Sequence, residues 1–203
     1  MNFDDFFDLC KQRRSVRKYT DKNISDEDIN KIIEAGIQAP SGTNLQGWKF
    51  KILKNKEEIN TAADVIEKKV LKVALSYNDG VLKDTLREYG KNFFFFKDAP
   101  LVIFLYAKKP NNFLPHFFKE ELGICKGTGV FLSLGMVMQN MMLAAFSLGI
   151  SSCPLTGPIL AEEELNEVFI PPKKYEFCGL LSFGYTDENP KSPGRKDLEK
   201  FII

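Results

Sequence analysis

"RRSVRKYTDKNISDEDINKIIEAGIQAPSGTNLQGWKF", residues 13–50, is the stretch whose reading decides the fold. It opens with Arg13, Arg14, Arg17 and Lys18 crowded around Ser15. Ser25 or Asp26 can then cap a helix that carries Ile29, Ile32, Ile33 and Ile37 on one face, and Pro40 marks its end. A polar, glycine-containing loop follows. It turns into a strand in which Trp48, Phe50 and Ile52 alternate with Lys49 and Lys51.

The concentration of charge is local. The chain has 203 residues, 44% hydrophobic and 27% charged, which suits one domain spanning residues 1–203. Its 28 basic and 27 acidic side chains nearly cancel, so no overall field draws it to nucleic acid or to an anionic membrane. Cysteines stand at 10, 125, 153 and 178 with no C-x-x-C pair, and "MNFDDFFDLC" is acidic where a secretory leader would be basic and then apolar. A reduced, cytoplasmic protein is expected. Zinc sites need clustered Cys and His, and His116 is the sole histidine, so no metal site is expected and a hydrolase triad would rest on His116 alone. That residue lies in "NNFLPHFFKEE", a Pro-broken aromatic segment, and reads as a packing or lid residue.

Further along, residues 55–96 read as two charged helices joined near "SYNDG", with "FFFF" at 93–96 as core. "APLVIFLYAKK" has the continuous apolar character of a strand buried on both faces. "GVFLSLGMVMQNMMLAAFSLG", residues 129–149, approaches the length of a membrane span, but Gln139 and Asn140 fall mid-segment and no charge asymmetry flanks it. It reads as the buried centre of a domain or dimer. A short acidic helix "AEEELNEVF", a strand "YEFCGLLSFGY" and a polar tail complete an α+β sheet flanked by helices.

Four pieces could carry chemistry. Arg13, Arg14 and Arg17 repel one another unless an anion or acidic partners neutralise them, and guanidinium grips phosphate through paired, charge-assisted hydrogen bonds; Ser15 adds a hydroxyl. The alternative is a solvated patch paired with "DDFFD" or "DKNISDED". Ser41, Thr43, Asn44 and Gln46 give the loop after Pro40 uncharged hydrogen-bonding groups suited to a polar heteroaromatic or sugar-like ligand; otherwise it is an ordinary turn. In "CPLTGP", Pro154 fixes φ and Gly157 lets backbone approach a ligand, so that N–H groups of Leu155, Thr156 and Gly157 can be presented; otherwise it is a simple connection. Arg195 and Lys196 follow a turn near the C-terminus.

Taken together, these pieces resemble the FMN-dependent nitroreductase family, most specifically through residues 13–50 and the closing "PGRKDLEKFI". The resemblance implies a central, mostly antiparallel sheet flanked by helices, and an intertwined homodimer with FMN at the interface. It implies Arg13, Arg14 and Ser15 near the FMN phosphate and ribityl chain, Arg195 closing on the phosphate, and Arg17 at the pyrimidine edge. Pro40, Ser41 and Asn44 would come from the other subunit with Gln46 supporting their loop, while backbone of Pro154, Leu155, Thr156 and Gly157 would face the ring. Gly42 and Gly47 depart from the serine and proline that relatives often carry, Thr156 replaces an acid found in some, and a further flavin contact is open among Lys68, Lys69, Lys72 and Asn78. The implied activity is ping-pong reduction of nitroaromatics, quinones or similar electron-poor acceptors by NADH or NADPH. The short, apolar segment 108–122 favours a broad or aromatic acceptor. Alternatives keep FMN but change the reaction, to dehalogenation or flavin and enone chemistry, or leave a flavin-binding protein without turnover.

Overall fold

Every residue from Leu101 to Ala107 is buried in strand β2 (Leu101–Lys108). A strand without a polar face needs cover on both sides. It receives that cover in a four-stranded antiparallel sheet ordered β1 (Trp48–Leu53), β2, β4 (Tyr175–Gly184), β3 (Ser151–Leu155). The computed structural model describes residues 2–109 and 128–203. His116, Cys125 and the lid expected of their segment lie outside the described residues. Six helices are described: α1 (Phe3–Gln12), α2 (Asp26–Ile37), α3 (Lys56–Leu75), α4 (Gly80–Gly90), α5 (Thr128–Ser147) and α6 (Glu162–Val168).

Alternation along the strands divides the core in two. Ile103, Leu105, Leu181 and Phe183 meet Ile29 and Ile32 of α2 and Val137, Met141 and Ala145 of α5. Val102, Phe104, Tyr106 and Leu180 meet Ile59, Ala62, Ile66 and Val70 of α3 and Leu165 of α6. Burying each large apolar side chain contributes about 1.5–3 kcal/mol. An exposed pair such as Lys31–Glu27, 2.7 Å apart, adds at most about 1 kcal/mol, so packing on both faces of the sheet dominates.

Local signals explain the boundaries. Of the two candidate caps for α2, Ser25 is the one used: its Oγ accepts the Asp28 N–H at 3.1 Å. In α5, Asn140 donates to the carbonyl of Ala35 on α2 at 3.2 Å, so this polar residue is bonded within the helix pair. Residues Gly129–Ser147 are long and apolar enough to cross a membrane by length and composition. One side of the helix nevertheless packs against α2 and the sheet, while Phe131, Leu132 and Met136 stay exposed around a shallow apolar cleft of about 530 Å³.

Two readings are revised. Ser151–Leu155 forms a fourth strand rather than a connection; Pro154, which lacks an N–H, is tolerated because β3 lies at the edge of the sheet. Of the phenylalanine run, only Phe96 is fully buried, and Phe93, Phe94 and Phe95 are half-buried against the α3-side core.

Gly184 closes β4 beneath the ring of Tyr19. A Cβ there would stand 2.6 Å from that ring and 2.8 Å from Pro100. Gly184→Ala is therefore expected to cost about 1–3 kcal/mol through overpacking, read as a lower urea midpoint with an unchanged m-value.

Candidate functional site

The basic segment is placed by where α1 stops. Arg13 leaves helical geometry (φ −58, ψ 127) while its N–H still donates to Leu9 at 3.1 Å. From there the chain runs beside β3: Ser15 bridges Ser152 in parallel, and the Val16 N–H donates to the Ser152 carbonyl at 3.1 Å. Tyr19 pins the far end. Its hydroxyl lies 2.8 Å from the Val16 carbonyl and 2.8 Å from Ser182 Oγ, so its one proton goes to Val16 and it accepts from Ser182. Burial pushes the Tyr19 phenol well above its ordinary value, keeping that proton in place.

This docking gathers cations. The guanidinium of Arg13 is held below its ordinary pKa by burial first, then by the charges of Arg14 and Arg195. Nε and Nη1 of Arg13 and Nε of Arg14 are buried without a hydrogen-bond partner among the described residues. The acidic runs do not neutralise them. Asp5 closes the cap of α1, Asp8 pairs with Lys11 at 2.8 Å, Glu27 and Asp28 bind Lys31, and Asp26 binds Lys54. Among the described residues neither Arg13 nor Arg14 forms an ion pair with these acids. Each unpaired buried donor costs about 1–3 kcal/mol, a cost that a phosphate's oxygens remove. The donors present thus fit a monophosphate. Arg195 itself is exposed, follows Gly194 at φ 75, and donates to the Gly194 carbonyl at 2.8 Å. Beside Arg14 a cavity of about 420 Å³ opens between Lys11, Ser151, Phe146 and the tail residues Asn189 and Ser192.

Arg17 lies further along, its guanidinium carbon 5.9 Å from the centre of the Phe95 ring. Burial raises the Cys153 thiol on β3, while the positive charges of Arg17 and Arg13 and the Ser15 hydroxyl act in the opposite direction. The next residues, Pro154 and Leu155, continue that strand to exposed Thr156. Gly157 is packed closely by a ring from another segment. Its Cβ would meet the Phe93 ring at 2.1 Å, so Phe93 by itself requires glycine there.

The loop after Pro40 is held by its own polar groups. Ser41 Oγ accepts the Gln46 N–H at 2.9 Å and Asn44 Oδ1 accepts from Gln46 Nε2 at 3.1 Å, so Gln46 does support the loop. Thr43, Asn44 and Gln46 occupy the left-handed region at φ 53, 52 and 46, which costs about 1–2 kcal/mol per non-glycine residue. The loop leads into β1, at the edge of the sheet opposite β3. Ser152 is level with Leu101, whereas Trp48 is level with Ala107. Six residues along and three strands across separate them by roughly 20 Å and roughly 14 Å. The loop's exit at Trp48 and the docking point of Ser15 at Ser152 thus lie at opposite edges and different levels of the sheet. Of the middle-region candidates, Lys69 is paired with Glu164 at 2.6 Å, and Lys68, Lys72 and Asn78 are exposed. Tyr19 went unread in the sequence, and Phe93 and Phe95 were read only as core, because their contacts are visible only once distant segments are paired.

The Nitroreductase family model matches residues 10–185. The chain belongs to the Nitroreductase family. A BluB-like flavoprotein from Clostridium difficile 630 is 30% identical, with a TM-score of 0.86 over 98% of this chain and 97% of its own. A nitroreductase with bound FMN from Desulfitobacterium hafniense DCB-2 is 27% identical, with a TM-score of 0.71 over 100% of this chain and 97% of its own. The iodotyrosine deiodinase of Thermotoga neapolitana is 26% identical over 96% of each chain. Nitroreductase membership and the antiparallel α+β sheet agree with the expected fold class.

The crowding of Arg13 has a measurable consequence for this nitroreductase-family chain. In buffer free of phosphate and sulfate, Arg13→Met is expected to raise the melting temperature of flavin-free protein by about 2–4 °C, the effect of about 1 kcal/mol at this size. Phosphate should stabilise the original protein and not the variant. Scanning fluorimetry with and without phosphate checks both.

Proposed function

We propose that this chain is an FMN-dependent oxidoreductase that uses NADH or NADPH to reduce nitroaromatic, quinone or similar electron-poor acceptors, as a homodimer with FMN between the protomers. The observation that carries this reading is the set of buried guanidinium nitrogens of Arg13 and Arg14 that lack partners among the described residues, with the charge of Arg195 acting on Arg13. Charge-assisted bonds of about 1.5–3 kcal/mol each make a phosphate the natural complement. Family membership and the FMN held by a 27% identical neighbour support FMN as its carrier.

When bound, FMN supplies the hydride-accepting and hydride-donating chemistry. The protein's own groups bind and orient. Arg13, Arg14 and Arg195 would hold the phosphate, Ser15 would offer its hydroxyl to the ribityl chain, and backbone of Pro154, Leu155, Thr156 and Gly157 would border the ring. Arg17 holds a positive charge at the ring's edge and so favours the electron-rich state. Nicotinamide donor and acceptor occupy one face in turn, which is a ping-pong order. No acid or base side chain is required, because protons come from solvent. Free Cys10, Cys153 and Cys178 fit a reducing, cytoplasmic setting.

The homodimer is supported by the separation of the two half-sites. A second copy would bring Pro40, Ser41, Asn44 and Gln46 to the arginines and would cover the apolar outer face of α5. It would also cover the tail's exposed Leu198, Phe201 and Ile202. Likeness to a deiodinase over 96% of the chain favours reductive dehalogenation as the second reading.

Purified protein is expected to be yellow, to lose its absorbance near the flavin maximum on anaerobic addition of NADH or NADPH, and to regain it with a nitroaromatic or quinone. Reoxidation by halotyrosines alone would select the second reading. A yellow protein that neither nucleotide bleaches would be a flavin-binding protein without turnover. Arg17→Ala is expected to lower the flavin midpoint potential or its affinity, measured by dye-equilibrated titration and fluorescence quenching; unchanged values would remove Arg17 from this role.

A further inference from the structure

Arg17 has a neighbour whose chemistry the proposed function does not yet use. Its guanidinium carbon lies 5.9 Å from the centroid of Phe95, and it makes no salt bridge among the described residues. An exposed arginine on an extended segment ordinarily samples many rotamers. A flat aromatic face removes part of that freedom and is itself attracted to the cation. Phe95 is suited to this duty because it is half-buried: one side packs on the α3-side core cluster and the remainder is open to Arg17. Two residues earlier, Phe93 occupies the space that a side chain at Gly157 would fill, and Tyr89 meets Phe93 edge-on at 5.5 Å. The aromatic run thus touches both the cation and the backbone that borders the expected ring.

We infer that Phe95 is a positioning residue for the flavin: its ring fixes the Arg17 guanidinium beside the β3 edge, while Phe93 sets the Thr156–Gly157 backbone. The phenylalanine run therefore holds the ring-binding edge in register and is more than core. This inference rests on the FMN reading above. Phe95 acts through Arg17, with no contact to the reacting atoms required. Its influence is greatest where charge on the bound ring changes, because a cation held at a fixed distance discriminates between the two charge states and a mobile, hydrated one discriminates less.

Phe95→Leu keeps an apolar side chain and removes the aromatic face, and Phe95→Trp restores a face. In Phe95→Leu, FMN affinity should fall by about two- to fivefold, the size of one exposed cation–π contact. The midpoint potential should shift in the direction that Arg17→Ala shifts it, by less, and Phe95→Trp should recover both values. In an Arg17→Ala background, Phe95→Leu should change neither further. Independently of FMN, the Arg17 Nε–Hε resonance should carry a ring-current shift in flavin-free protein and lose it in Phe95→Leu. Two results would overturn the inference while leaving the FMN reading intact: full additivity of the two substitutions, or an unchanged affinity and potential in a folded Phe95→Leu protein. A wild-type protein that takes up no FMN would defeat the FMN reading, and the inference with it.

Discussion

Crowded positive charge along residues 13–17 is the constraint on which the rest of this structure depends. Arg13, Arg14 and Arg195 stand within electrostatic reach, the first two with buried nitrogens that bond to nothing described, and Asp8 and Glu188 pair with Lys11 and Lys18 instead. That arrangement is unfavourable by itself and persists only because other interactions over-determine it. The backbone of residues 15 and 16 is bonded to Ser152, and Tyr19 and Thr20 are tied to Val16, Ser182 and Tyr185, so the arginines cannot relax without lifting a segment from the sheet. β2 and β4, clamped between two apolar layers, give this segment a rigid base.

How far the sequence revealed this follows from which forces act locally. The α2 helix, the alternating β1 and the doubly buried β2 were legible because capping, periodicity and apolar runs are written within a few residues. β3 was not, since Pro154 and the glycine after it imitate a turn and only pairing with β4 makes the segment a strand. The arginine cluster was legible as a question. Its answer needed the acidic partners to be assigned, and whether Asp8 turns to Lys11 or to Arg13 is decided by helix geometry and not by composition.

Gly157 marks the limit of motif reasoning. A glycine in a Pro-flanked loop beside a candidate site reads as room for a ligand, and Phe93, sixty-four positions earlier in sequence, gives a second reason for glycine that the motif does not reveal. Phe93 and Phe95 look like generic core for the same reason. Hydrophobicity alone does not distinguish a ring that fills a void from one that presents its face to a cation.

The two candidate half-sites share a thermodynamic character. On one edge of the sheet, like charges are crowded; on the other, Thr43, Asn44 and Gln46 hold left-handed backbone in an exposed loop. Each cost falls on the isolated chain, and each is of the kind found where a site is organised before its ligand arrives. In the proposed dimer one phosphate-bearing ligand would answer the first and give the second something to contact. Binding and association would then be linked: a ligand that contacts both protomers favours the dimer by the same free energy with which the dimer favours the ligand. In that dimer the crowded charge and the strained loop would be reciprocal parts of one assembly, set by a sheet whose opposite edges carry Ser152 and Trp48.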